Sequence, residues 1–483
     1  MTSGQPIDFD AIRGGIAQFE LSSKVEPNET IDLGRAFFPE GHRGVLDLRR
    51  QLVVGNRGMG KSFWTHALVN PELRQRVTQV YGLPALAKTT VIIGFNGSEK
   101  LGDAAPTPDE IAQALRDGFD SDLVWQAVIV RAARLLKAGR RAPSFAETVK
   151  ELSGSRGAYS EVLTSADDTL VRSGKTLLVV FDALERLARD WNGIRNLTRG
   201  LLMRTVGLQS FRAIRAKIFM RVDQFADDEL FRFMDSSKIK NDRVDLAWHS
   251  DELYGLLLFE LLRRPGANSQ LNALAAKTKT RNALPRDGRP NTGSPEELIG
   301  LINALAGEFM GSNNKRGRVY TWVPLHLSDA DNNCSPRTFL TAWKWAADHN
   351  PPPKDRVVDH LGLIDGVRHA SSTRLAELRE DYPWIEAALK PLHRQFVPIP
   401  RDDLFALWEK QDVVKRILRD AQAQGWLAPI DLFLKRDPEA LLKTMVRIAV
   451  MEERTNGKIN VPDIFRVEAE ILRKGGVAVP RRK

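Results

Sequence analysis

The sequence predicts an α/β protein: a doubly wound parallel sheet joined to a helical lid and a C-terminal winged-helix-like domain. Three observations predict it. Short apolar or β-branched runs alternate with long helical stretches over residues 46–250. One run opens directly into a glycine loop and then a helix start, at residues 51–69. Beyond about residue 250 helical spacing takes over, until an Asn456-Gly457 pair marks a tight turn suited to the wing of a winged helix.

Residues 1–45 carry few periodic signals and read as an N-terminal segment. Residues 51–54 lead into the glycine loop, and 62–69 leave it with helical spacing. The run KTTVIIGF at 88–95 is a short buried strand. Residues 109–137 read as helix, with Ile111, Ala114, Leu115, Leu123, Val124, Val128 and Val130 as its apolar positions. A second apolar strand, 176–181, ends at Asp182; 184–209 is helical, and 216–220 is a third strand. Within the lid, 251–350, residues 263–294 are rich in Asn, Thr, Gly, Pro and Arg and read as a basic loop. Helices resume at 295–310 and 336–349. The run Asn350-Pro351-Pro352-Pro353-Lys354-Asp355 then opens a stretch of linker and helices over 351–400. The winged-helix-like region, 401–483, has helices at 402–424 and 438–453.

With 42% hydrophobic residues over 483 positions, the chain can bury sizeable cores, which excludes a disordered polymer. The single cysteine, Cys334, excludes an intramolecular disulfide framework and fits a reducing compartment. The start, MTSGQPIDFD, has no apolar core of a signal peptide, and no apolar run is long enough to span a bilayer. The expectation is a cytoplasmic protein with no membrane contact. The net charge of +10 fits a nucleic-acid partner and equally an ordinary basic protein. Its excess is local: 263–289 holds seven basic residues and one acid, and 471–483 holds Arg473, Lys474, Arg481, Arg482 and Lys483 with no acid.

The glycine loop reads Gly55-Asn56-Arg57-Gly58-Met59-Gly60-Lys61-Ser62, followed by Phe63. Glycines let successive backbone N–H groups turn inward around phosphate oxygens. Lys61 supplies charge to the β and γ phosphates, the Ser62 hydroxyl can ligate Mg²⁺, and the helix start adds its positive dipole end. Strand before and helix after are the context a genuine P-loop requires. Such a loop needs a carboxylate at the end of a neighbouring strand, and Asp182 after Leu177-Leu178-Val179-Val180-Phe181 offers it. Many hydrolysing P-loop proteins carry glutamate immediately after that aspartate; here Ala183 stands there, and Glu185 is the nearest substitute for positioning water. No guanine-specific Asn/Thr-Lys-x-Asp phrase is present, so ATP is the expected nucleotide. Arg221, ending a strand, and Arg337, opening a lid helix, are candidate γ-phosphate sensors; a salt bridge and a surface position are their plainer readings. Arg186, Arg189, Arg195 and Arg199 follow Asp182; one could act in trans, and a solvated face is the alternative.

Taken together, the loop at 55–62, LLVVFDALERL at 177–187, KIFMR at 217–221 and SPRTFL at 335–340 resemble STAND/KAP-like and ORC-like P-loop ATPases of the AAA-related branch. The phrases DRVDLAWHSDELYGLLL (242–258) and VPDIFRVEAEILRKGGV (461–477) look like those of a bacterial P-loop ATPase family of similar length. The resemblance implies a nucleotide-driven switch, self-association, a protein effector and, from where such genes often sit, antiviral defence. Lys61, Asp182 and Glu185 would be catalytic, 55–63 nucleotide-binding, Ser62 and Asp182 metal-binding, with ATP and Mg²⁺ as ligands. A DNA-binding ORC-like ATPase and a hydrolysis-deficient scaffold are the rival readings.

Overall fold

The computed structural model describes residues 6–21, 34, 36–136, 143–155, 157–290, 293–474 and 477–479. The chain divides into two compact units, residues 41–246 and residues 1–40 with 247–483.

Among the described residues, the 41–246 unit is built on five parallel strands: β1 (Leu52–Val54), β2 (Thr89–Phe95), β3 (Thr176–Phe181), β4 (Ile214–Met220) and β5 (Val244–Asp245). Their spatial order is β2-β3-β4-β1-β5. A parallel sheet covered by helices buries both faces of its strands, which is why β1, β3 after Thr176 and the last three residues of β4 are uninterrupted apolar runs. The buried Trp125, on the helix Ser121–Arg134, packs edge-on against Phe95 of β2 and Phe181 of β3. Its indole N–H donates to the Leu197 carbonyl at 2.7 Å, tying two helices together.

Three elements differ from expectation, each for a local reason. The helix expected over 109–137 is two, Pro108–Arg116 and Ser121–Arg134. Gly118 at φ 88° breaks it, and the Asp120 side chain caps the restart. The helix expected over 184–209 is a single 3-10 turn, Leu184–Arg186, then Trp191–Gly207 capped by Asp190. β5 has only two residues, too few for a periodic signal.

Lys217, wholly buried on β4, donates to the carbonyls of Asp47 (2.9 Å) and Arg50 (2.6 Å) in the turn before β1. Burial pulls its pKa down to about 7. The two ends of this unit meet: a Cβ on Gly44 would lie 3.3 Å from the Val244 side chain.

The other unit is mostly helical around one continuous apolar cluster that runs from Ile12 to Val477. The N-terminal segment supplies the helix Phe9–Ala17, which packs on Pro265–Lys277 and Pro336–Ala347. Gly15 allows that approach, since a Cβ there would lie 2.6 Å from the Ala267 Cβ. Buried Arg13 donates to the Val357 carbonyl (2.8 Å) and the Pro353 carbonyl (2.7 Å), so the proline-rich run is pinned inside this unit.

The basic loop expected over 263–294 is a correction: Pro265–Lys277 is a helix. Proline at its first turn is compatible with helix entry. Ala267, Leu271, Leu274 and Ala275 form a buried stripe that outweighs the polar composition. The longest helix, His360–Asp381, lies against Pro336–Ala347 through Gly362 and Gly366. A Cβ on Gly362 would sit 2.7 Å from the Ala346 carbonyl oxygen, and one on Gly366 would overlap that of Ala342.

At the C-terminus the helices Arg401–Lys410, Val413–Gln424, Ile430–Leu434 and Pro438–Arg447 precede a hairpin. β6 (Phe396–Val397) pairs in parallel with β10 (Leu472–Arg473), while β7 (Ile399–Pro400), β8 (Glu452–Glu453) and β9 (Lys458–Asn460) form an antiparallel sheet. The β8–β9 hairpin turns at Asn456-Gly457, with Gly457 at φ 74°, as a wing requires. Among the described residues, no helix is long and apolar enough to cross a membrane.

Candidate functional site

In parallel strands all C-terminal ends lie on one edge, and ligands of such sheets bind there. Gly55 follows β1, Asp182 follows β3 and Arg221 follows β4, so the topology alone collects them. Val54 pairs with Met220, and Phe181 with Ile218, which keeps the three exits nearly level.

The loop from Gly55 to Ser62 is bent by Gly58 (φ 84°) and Gly60 (φ 107°), angles at which a side chain is strained. Met59 is buried and anchors the loop. Gly55 is closed in by the residue after β5, since a Cβ there would lie 3.0 Å from the Leu246 side chain. The helix Lys61–Val69 begins at the loop's end. Its Trp64 is buried and donates to His42 Nδ1 at 2.9 Å, fixing the helix to the 3-10 segment Glu40–Leu46.

Lys61 folds back over the loop, its ammonium donating to the carbonyls of Gly55 (2.6 Å) and Asn56 (3.1 Å). Burial first, then the Arg221 charge, lower its pKa, while Asp182, Glu185 and Asp223 oppose the shift. Lys61 therefore stands in the field of three acids and one other cation.

Asp182 accepts from the Ala183 N–H at 2.8 Å through one oxygen and from the Thr65 hydroxyl at 2.9 Å through the other. Each carboxylate oxygen keeps a lone pair for a further donor or cation. Ala183 adopts the left-handed conformation, φ 57°, and Glu185 is exposed on the 3-10 turn beyond it. Arg221 forms a two-pronged pair with Asp223, Nε to Oδ1 at 3.1 Å and Nη2 to Oδ2 at 3.2 Å.

Lys61, Asp182, Glu185 and Arg221 are thus brought together, with the half-buried Asn56, Arg57 and Phe63 and the exposed Ser62 on the same loop and helix start. Arg337 belongs to the other unit, where it is paired with Glu377 at 2.7 Å. Of the arginines after Asp182, Arg195 is tied to Asp227 (2.6 Å) and Arg199 to the Glu229 carbonyl (2.6 Å), so neither lies on a merely solvated face. Sequence reasoning missed Thr65 and Asp223. Thr65 had one signal, since it stands one helical turn after Lys61 and shares its face. Asp223 had none.

A Mg²⁺ ion fits the donors present. Ser62 offers an exposed hydroxyl and Asp182 a carboxylate. Among the described residues no group of three or more His, Cys, Asp or Glu could hold a metal by itself. An ion held by few protein oxygens, completed by phosphates and water, is the usual situation of Mg²⁺ at nucleotide sites.

The loop on β1, the acid on β3 and the strand β4 standing between them define a doubly wound parallel sheet of the P-loop nucleotide-binding kind. No protein-family model matches the chain, and no curated protein matches it. Among solved structures it is similar to Cdc6p from Pyrobaculum aerophilum, at 12% identity over 95% of this chain and 96% of that one, TM-score 0.28. It is also similar to the Aeropyrum pernix ORC2 protein in ADPNP–ADP complexes, at 14% identity over 92% and 93%, TM-score 0.34. Drosophila ORC bound to DNA is similar at 10% identity over 96% and 94%, TM-score 0.30. The fold assignment stands on strand order and loop.

Proposed function

We propose that the chain binds ATP with Mg²⁺ at the 55–63 loop and works as a slowly hydrolysing switch. The observation that carries this reading is the convergence of Lys61, Asp182 and Arg221 at the C-terminal edge of one parallel sheet. Lys61 and the loop amides hold phosphate. Ser62 and Asp182 hold Mg²⁺, which would neutralise phosphate charge when bound. Glu185 positions water, since Ala183 has no carboxylate, and Arg221 responds to the γ-phosphate. ATP binding and loss of the γ-phosphate bias the two states of the switch. Self-association and a protein effector complete the reading, in the bacterial defence context that the family resemblance implies.

Steady-state phosphate release tests it. Asp182→Ala should abolish Mg²⁺-dependent hydrolysis, and Glu185→Gln should slow it roughly 10- to 100-fold with ATP affinity nearly retained. Parental turnover in Glu185→Gln would move water positioning elsewhere, and no turnover in the parent would leave the nucleotide-binding scaffold.

The β8–β9 hairpin favours a second reading, a nucleic-acid-binding ATPase. Its turn carries Arg454 and Lys458, although Arg454 is paired with Glu452 at 2.7 Å. The tail is less free than its composition implies, because Arg473 lies 3.4 Å from Asp463. Arg481, Arg482 and Lys483 lie outside the described residues. Deleting 478–483 removes those three charges, and the salt slope of duplex binding should fall by about one unit for each phosphate they neutralise. Equal slopes, or no affinity at low salt, would dismiss this reading.

A further inference from the structure

We propose that Asp223 is a positioning residue that shares Arg221 with the terminal phosphate and so sets how well the site separates a nucleoside triphosphate from the diphosphate. This rests on the nucleotide-binding reading above.

The geometry is a closed clamp. Arg221 follows β4 and caps the one-turn helix Val222–Phe225. The Asp223 carboxylate accepts from Arg221 Nε and Nη2 and from the Gln224 N–H at 3.0 Å. Gln224 in turn accepts from the Arg221 N–H through its side-chain oxygen at 3.4 Å. Arg221 and Asp223 are each 17% exposed, so the pair is largely shielded from solvent and its charges act strongly on near neighbours. Both fields reach the Lys61 ammonium, in opposite senses.

The electrostatics follow from those positions. With no phosphate present, Asp223 neutralises Arg221 and limits repulsion between Arg221 and Lys61. A γ-phosphate at Lys61 adds charge that Asp223 repels and Arg221 attracts. A two-pronged guanidinium can leave one prong on Asp223 and turn the other to phosphate. The balance falls on the third phosphate, because the first two are held by the loop amides, away from the Arg221–Asp223 pair.

Removing the negative charge while keeping the shape is therefore expected to favour the triphosphate selectively. Asp223→Asn should tighten ADPNP about tenfold and ADP less than threefold, read by titration calorimetry with Mg²⁺. Asp223→Glu, which keeps the charge, should stay within threefold of the parental ratio. In Arg221→Gln the ratio should collapse, and adding Asp223→Asn to that variant should not restore it. Equal tightening of both nucleotides, or the same gain in the Arg221→Gln background, would overturn the proposal. If Asp223→Asn does not fold, the Glu and Arg221 variants still decide: a shifted ratio in Asp223→Glu with an unchanged one in Arg221→Gln also overturns it. A parent that binds neither nucleotide refutes the binding reading instead.

Discussion

Replacing Lys61 with alanine is expected to weaken ATP–Mg²⁺ binding by about a hundredfold or more in a protein that remains folded. A charge-assisted hydrogen bond contributes about 1.5–3 kcal/mol, and a hundredfold corresponds to about 2.7 kcal/mol. The fold should tolerate the change. Among the described residues the Lys61 ammonium bonds only to the loop carbonyls of Gly55 and Asn56, both part-buried contacts that water can replace. Its removal also relieves the repulsion with Arg221 that helps lower the Lys61 pKa. Lys61→Met, keeping the aliphatic stem, should lose affinity equally. Calorimetric titration beside a thermal melt checks both halves: unchanged affinity in a folded variant would end the phosphate-binding assignment.

The second large effect is on stability. Gly366→Val should destabilise the helical unit by about 3 kcal/mol or more. A Cβ at Gly366 would overlap the Ala342 carbonyl oxygen, and backbone cannot rotate away as a side chain can. The helices Pro336–Ala347 and His360–Asp381 would have to separate, adding voids to strain. At about 2–4 °C per kcal/mol for a unit of this size, the melting midpoint should fall by roughly 6–12 °C. Gly14→Ala is the contrasting control. Gly14 sits inside the helix Phe9–Ala17, and a Cβ there would meet no neighbouring atom within 4 Å, so alanine should stabilise by about 0.5–1 kcal/mol. A Gly366→Val melt within about 2 °C of the parent would mean the two helices do not meet so closely.

What could be read from the sequence was what is local. The P-loop is eight consecutive residues whose chemistry needs no distant partner, and β3 carries a continuous apolar run because both its faces are covered. Asn456-Gly457 marked the hairpin turn for the same reason. What failed depended on partners far along the chain. Pro265–Lys277 has loop-like composition, and its stripe gains meaning only from the N-terminal helix it packs against, some 250 residues earlier. Arg195 and Arg199 look like an exposed cationic face until Asp227 and the Glu229 carbonyl are seen to hold them. At the site, Asp182 was legible as an acid ending a strand. Its bond to Thr65 spans 117 residues, and the Asp223 clamp becomes visible only when β4 stops where it does.

The helix Phe9–Ala17 has a consequence for synthesis. It leaves the ribosome before its partners Pro265–Lys277 and Pro336–Ala347, which come some 250 to 330 residues later. At about 5–20 residues per second it waits on the order of 10–60 s with Ile12 and Ile16 uncovered. The 41–246 unit, whose ends meet near Gly44 and Val244, is complete in the nascent chain well before that wait is over. Translation therefore completes the α/β core while the helical unit still lacks its later segment.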